Sequence, residues 1–185
     1  MDNSFQQRIL SAANKVFMEN GYRKADMRSI AKDAGIAVGT IYNYYPNKAV
    51  LYQAILEQQW NEFDNKIFTI TGGSTSPEEK LRRITDLLLS FVGRHIGMWH
   101  EIVEDPNRDS QLRDEGQKTQ ALALEQLKKH LRIVFAELGA NPEWMERSVH
   151  VYIASVTHMA MFFPQEMDKN HRFIMSLVKS IVDHL

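Results

Sequence analysis

The chain of 185 residues contains no cysteine, which excludes disulfides and thiolate metal sites. No apolar run approaches the roughly 18 residues that a membrane span requires. The opening MDNSFQQRIL lacks the basic-then-apolar form of a signal peptide. The expectation is a cytoplasmic protein with no membrane partner. An excess of one charge is also missing: 22 Lys and Arg stand against 23 Asp and Glu, for a net charge of −1. That balance argues against a general nucleic-acid binder. The chain shows no convincing strand, no internal repeat and no low-complexity segment.

What is present is helical periodicity. Ile9, Ala13, Val16 and Phe17 share one face of a first helix at about residues 5–20, which Asn20-Gly21 ends. Asn47 is placed to cap a helix at about 48–68, with Leu51, Ile55, Trp60, Phe63 and Ile67 as its apolar stripe. Gly72 to Pro77 is the clearest loop. Ser76-Pro77-Glu78-Glu79 is a strong helix start: a cap, proline at the first position, then acids in the first turn. That helix runs to about Gly93 or beyond with Leu81, Ile84, Leu87, Leu88 and Phe91 inward, and a short piece at about 98–104 precedes a break at Asp105-Pro106-Asn107. Helices at about 110–138 (Leu122, Leu127, Leu131 and Phe135 inward), 142–163 and 168–185 complete the chain. The fold class expected is all-α, with about nine helices.

Between the first and fourth helices lies Met27–Lys48, MRSIAKDAGIAVGTIYNYYPNK. Ile30, Ala31 and Ala34 form one apolar face of a short helix. Gly35 follows, where a helix often ends on positive φ. Val38 to Tyr44 has room for two more turns before Pro46 stops it. Helix, glycine turn, short helix is the form of a helix-turn-helix, whose second helix lies in the major groove in DNA-binding examples. Ala31 is small where the helices cross, and Ile41 is the inner anchor. The outer side chains, Val38, Thr40, Tyr42, Asn43 and Tyr44, carry the hydroxyl, amide and methyl groups that phosphates and base edges use. Charge is distributed to match: residues 1–48 hold seven basic and four acidic side chains, net +3, leaving −4 on the remainder.

This stretch, with FMENGYRKADMRSIA before it, closely resembles the DNA-binding domain of the TetR family of transcriptional regulators. Phe17, Gly21, Tyr22, Ile30, Ala31, Ala34, Gly35, Gly39, Thr40, Ile41, Tyr42, Tyr44, Lys48 and Leu51 match at fixed spacing over the first third of the chain. It departs from the family pattern at Ala25, where threonine is frequent and Asp26 is left to cap, at Ala37 in place of a capping serine, and at Tyr45 in place of phenylalanine. The resemblance implies a DNA-binding head, residues 1–47, and an effector-binding and dimerisation body, residues 48–185. It implies phosphate contacts from Thr40, Tyr44 and Lys48 and a groove-facing set of Val38, Gly39, Tyr42 and Asn43, with Arg28 placed to reach DNA from the second helix. Asn43 is suited to adenine, Val38 to a thymine methyl, and Gly39 to close approach. The fourth helix, starting at Lys48, is the expected mechanical link between head and body.

The last two helices are apolar around much of their circumference. Val149, Ile153, Val156 and Ala160 make one stripe, and Phe173, Leu177, Ile181, Ile174 and Val178 the other. By composition such helices are either a monomer's core or shared between subunits. The resemblance implies a homodimer through them, hence a near-palindromic double-stranded operator. It also implies a small-molecule effector, of unknown identity, in a pocket whose candidate lining is Trp60, Phe63, Phe91, His95, Trp99, Met159 and Phe162. The reading is a ligand-responsive repressor with no catalytic residue, metal or cofactor. Two alternatives remain. One is a metal-dependent helical-bundle enzyme using His100 with Glu101, Glu104, Asp105 and Asp109, or His150 and His158. It is disfavoured because no HExxH or ExxH occurs, and Glu146 with His150, at i and i+4, has no third partner. The other is a DNA-binding activator without a ligand.

Overall fold

A computed structural model describes the backbone at residues 3–103 and 110–184, and the side chains there except at 3 and 96–116. Eight α-helices and no strand occur among the described residues: α1 Asn3–Lys24, α2 Met27–Ala34, α3 Val38–Tyr44, α4 Lys48–Thr71, α5 Pro77–Val103, α6 Ser110–Glu137, α7 Met145–Phe162 and α8 Met167–His184. Two compact units form, Met1–Asn61 with Met98–Ala121, and Glu62–Gly97 with Leu122–Leu185. The helix α4 contributes its first residues to one and its last to the other.

In the first unit, α1 is broken as its sequence suggests. Gly21 takes φ 76 and ψ 165, a conformation essentially closed to residues with a Cβ, and the chain turns there before resuming one short coil to Lys24. The core of this head is one cluster, in which Ile9, Ala13, Phe17, Ile30, Ala31, Ile41 and Leu51 are all but fully buried. The rings of Phe17, Tyr22 and Tyr52 pack in a triangle with centroids 5.3–5.8 Å apart, mutual offset and edge contacts that aromatic rings favour.

In the second unit, α5 is one helix through Gly93 and Gly97, where the sequence reading had placed a break and a separate short helix at 98–104. Two isolated glycines weaken a helix by only about 1 kcal/mol each, and proline, which would stop it, does not appear until position 106. The proposed break at 105–107 lies outside the described residues. The core gathers Ile67, Leu81, Ile84, Leu131, Phe135 and Tyr152. Leu122, expected inward, is instead 71% exposed; Ala123, one position on, takes the inward place. Tyr152 is wholly buried, and its hydroxyl shares a hydrogen bond of 2.8 Å with Thr85 Oγ1; burial pushes the phenol far above its ordinary range. The Lys80 ammonium, also buried, donates to both carboxylate oxygens of Glu137 at 3.1 and 2.8 Å. Asn170 Nδ2 donates to the carbonyls of Met159 and Phe163, closing the end of α7.

Candidate nucleic-acid interface and ligand site

The helix-turn-helix is set by its caps. Asp26 precedes α2 with extended backbone, and its Oδ1 accepts from the N–H groups of Arg28 and Ser29, both at 2.9 Å. The hydrogen bond from the Ser29 N–H is the main cause holding the Asp26 carboxyl below the ordinary carboxylate range. Gly35 ends α2 at φ 65, ψ 40, the left-handed conformation that glycine adopts without steric penalty. Ala37 offers α3 no side-chain cap, and Asn47 Oδ1 caps α4 by accepting from Val50 N–H at 2.9 Å.

The seven-residue α3 buries only Ile41. Tyr42 is 49% exposed, and Asn43 and Gly39 are exposed as well. A Cβ built on Gly39 would meet nothing within 4 Å, so no packing within the chain demands glycine there. Val38 and Tyr44 are half-buried and lean on the head's core. Thr40 is half-buried, and Arg28 is exposed at the start of α2. These side chains therefore lie along one head, with Tyr42, Asn43 and Gly39 forming the free face of α3.

Lys48 is different. Its ammonium donates to the carbonyl oxygens of Tyr22 at 2.7 Å, Ala25 at 3.1 Å and Arg23 at 3.4 Å, and lies 4.4 Å from the centroid of the Tyr22 ring. The residue expected at a phosphate is thus directed onto the chain's own backbone. Sequence reasoning missed a second such tie. Arg8 Nη2 donates to Ala34 O at 2.6 Å and to Gly35 O at 3.3 Å, across the turn between α2 and α3. Lys15 pairs with Asp33 at 2.6 Å on the same side. Partners 18 to 27 positions apart leave no local signal.

The expected effector residues are only partly assembled. Phe63, Phe91 and His95 stack in a row, with centroids 4.9 and 4.8 Å apart. His95 is buried, its Nδ1 has no hydrogen-bond partner, and burial followed by the charge of Arg94 pulls the imidazole down to about 4. Met159 is half-buried. Phe162, by contrast, is 64% exposed and stacks on His158; its place beyond the last buried turn of α7 removes it from an enclosed lining. Trp60 is half-buried in the first unit, and the Trp99 side chain lies outside the described residues. A cleft of about 640 Å³ opens instead beside α4 and α5, flanked by Glu62, Lys66, Arg83 and Asp86, and none of the expected residues lines it.

Among the described residues no three His, Asp or Glu side chains gather as a metal site would require. Glu146 is held by Arg132 through two hydrogen bonds of 2.6 and 2.9 Å, away from any role with the exposed His150. His100, Glu101, Glu104, Asp105 and Asp109 lie outside the residues whose side chains are described.

A family model of bacterial regulatory proteins, the tetR family, matches residues 9–55, the span from α1 into α4 that builds this head. Residues 9–55 therefore match the TetR family. The HTH-type transcriptional repressor KstR of Mycobacterium tuberculosis is 26% identical over 146 residues, 79% of this chain and 63% of that protein. The fatty acid metabolism regulator protein of Bacillus subtilis is 34% identical over 84 residues, 45% of this chain and 43% of that one. The chain thus spans less than two thirds of the length of these curated relatives. Among solved structures, the transcriptional regulator FadR of B. subtilis in complex with stearoyl-CoA has a TM-score of 0.66 at 21% identity, covering 97% of this chain and 98% of that one. The TetR-type fold therefore extends over the whole described chain.

Proposed function

We propose that this TetR-family protein is a ligand-responsive transcriptional repressor. It binds a near-palindromic operator as a homodimer and leaves it when a small molecule binds. Residues 1–47 serve DNA and residues 48–185 serve effector and partner. The observation that carries the DNA half is the free face of α3: an exposed amide, an exposed phenol and a glycine with open space, on a helix anchored by one buried isoleucine. Asn43 reads an adenine edge, Tyr42 and Val38 contact bases, Gly39 admits close approach, and Thr40, Tyr44 and Arg28 meet phosphates.

The dimer reading is supported by apolar side chains left uncovered on α7, at its C-cap and on α8. Val151, Phe162, Phe163 and Phe173 are 43–64% exposed, whereas Val149, Val156, Ala160, Ile174 and Val178 close the chain's own core. Each large apolar side chain covered by a partner contributes about 2 kcal/mol. The effector is an apolar acyl-chain molecule. The stacked Phe63 and Phe91 offer such a chain an apolar wall, and the FadR structure holds an acyl-CoA.

Sequencing the duplexes that the protein selects from a random pool tests the first half. The expected product is a near-palindrome with half-sites about one helical turn apart. Asn43→Ala should relax preference at one base pair per half-site, by about 1–3 kcal/mol. Unchanged affinity in both Asn43→Ala and Tyr42→Ala would sink the placement of α3. Stearoyl-CoA added to the bound duplex should lower its fluorescence anisotropy; retention of the complex would remove the acyl effector while leaving the DNA reading standing. Sedimentation should give a dimer that Phe173→Asp converts to monomer.

A further inference from the structure

The cleft of about 640 Å³ lined by α4 and α5 lies wholly within the second unit. Its volume falls in the range of small-molecule sites, about 300–1,000 Å³. Helical spacing builds both walls. On α4, Glu62, Asn65, Lys66 and Ile70 recur at i, i+3, i+4 and i+8; on α5, Arg83, Asp86 and Leu87 recur at i, i+3 and i+4. Residues so spaced share one helix face. Ile70 is buried and Leu87 half-buried, so the cleft has an apolar floor, while Lys66 and Arg83 are exposed.

The charges differ in what already holds them. Asp86 accepts from Arg82 Nη1 at 3.4 Å and has His171 Nδ1 at 3.6 Å. Arg82 also donates to both carboxylate oxygens of Glu79 at 2.7 Å, and Lys80 is taken by Glu137. Arg83 therefore meets Glu79 only as a distant charge. Neither Lys66 nor Arg83 makes a hydrogen bond or ion pair with a described residue, and the side-chain amide of Asn65 makes none either. The unmet capacity of the cleft thus includes an ammonium with three donors and a guanidinium with five, whose fork matches the oxygens of a carboxylate or phosphate. Glu62 and Asp86 keep the cleft from being uniformly positive. That disfavours a polyanion and suits one compact anionic head.

We propose that the α4–α5 cleft is a small-molecule site for an amphipathic anion, whose carboxylate or phosphate head is held by Lys66 and Arg83 and whose apolar portion lies on Ile70 and Leu87. None of the residues expected to line an effector pocket belongs to it. The proposal needs neither the DNA contacts of α3 nor an acyl chain at Phe63 and Phe91, so failure of those readings leaves it standing.

Calorimetric titration of the full chain with octyl phosphate and with octanoate tests it. Octyl glucoside, the same body with an uncharged head, and inorganic phosphate, a head without the body, are the comparisons. At least one octyl anion should bind one to one, at least about tenfold more tightly than either comparison, the scale of a charge-assisted contact. The tighter of the two anions identifies the head. Lys66→Gln combined with Arg83→Gln should weaken that anion by about tenfold or more, whereas Lys66→Arg combined with Arg83→Lys should retain it, with folding checked by thermal unfolding. Equal binding of octyl glucoside, affinity unchanged by the two glutamines, or no binding of either anion would overturn the proposal. If the glutamine variant does not fold, the wild-type protein decides. The bound anion should shift amide resonances at 62–70 and 83–87, and shifts confined to other residues would overturn the site.

Discussion

Long side chains that cross between elements end on different targets in the two units. In the head two of them end on backbone, Arg8 on Ala34 and Gly35 and Lys48 on Tyr22, Arg23 and Ala25, beside the side-chain pairs of Lys15 with Asp33 and Gln59 with Asn14. In the second unit they end mostly on other side chains: Lys80 on Glu137, Arg132 on Glu146, Thr85 on Tyr152. The backbone targets lie at or beside helix ends. Every α-helix leaves its last four carbonyls without intrahelical donors. In α2, eight residues long, that is half of them; in α6, with 28 residues, it is a small minority. The exception fits the rule, because the carbonyls that Asn170 reaches lie at the end of α7. Distant side chains thus complete helix ends, whereas helix flanks are held side chain to side chain.

The largest effect that tests this contrast is Ile41→Ala. It removes the one buried residue of α3 and should cost about 2–5 kcal/mol, as large-to-small core changes do, read by urea unfolding. A much smaller loss than for Leu131→Ala, equally buried in α6, would show that backbone ties hold α3 without its core contact.

Next comes acid. The unfolded chain protonates His95 near 6.5, the folded chain only near 4, so the contribution of a neutral His95 is complete above pH 6.5 and is lost as pH falls towards 4. The total is about 3 kcal/mol. The urea midpoint should fall over that window, and His95→Phe should flatten the fall; identical pH profiles for the two proteins would refute it. Because His95 belongs to the second unit, the effect should leave amide protection in α2 unchanged.

Arg8→Ala is expected to cost about 2 kcal/mol, the scale of a hydrogen bond made by a charged group. Arg132→Ala breaks an equally short pair on the surface and should cost less than about 1 kcal/mol. Equal losses in thermal unfolding would abolish the distinction between backbone and side-chain ties.

These expectations also mark what could be read in advance. Asp26, Gly35, Asn47 and Ser76 were legible as caps because a cap acts within three residues of itself, and the structure places a capping bond or a left-handed turn at each. The buried faces of α1 and α2 were legible by period. Arg8 and Lys48 were not legible in their observed roles, since their targets lie about 26 positions away and long-range ties carry no spacing rule. The short helix expected at about 98–104 is instead the continuation of α5 to Val103, because two isolated glycines do not outweigh the helical residues around them. Leu122 is expected inward by helical spacing, yet which apolar residue faces the core depends on where each helix lies against its neighbours. Phe63, Phe91 and His95, expected as effector-pocket lining, are in mutual ring contact, whereas the charged cleft at Lys66 and Arg83 has no apolar periodicity to announce it.

Gly39 carries a cost that unfolding measurements on the free protein can register. With open space where a Cβ would stand, alanine at this position meets no obstacle and favours the helix by about 1 kcal/mol. Under the proposed docking of α3, a selection for heat resistance carried out without DNA would replace Gly39 early, and the thermostable variant would approach the major groove less closely. Screens on this protein should score operator occupancy alongside melting temperature, because under the proposed function the two rank the same substitution at this residue in opposite order.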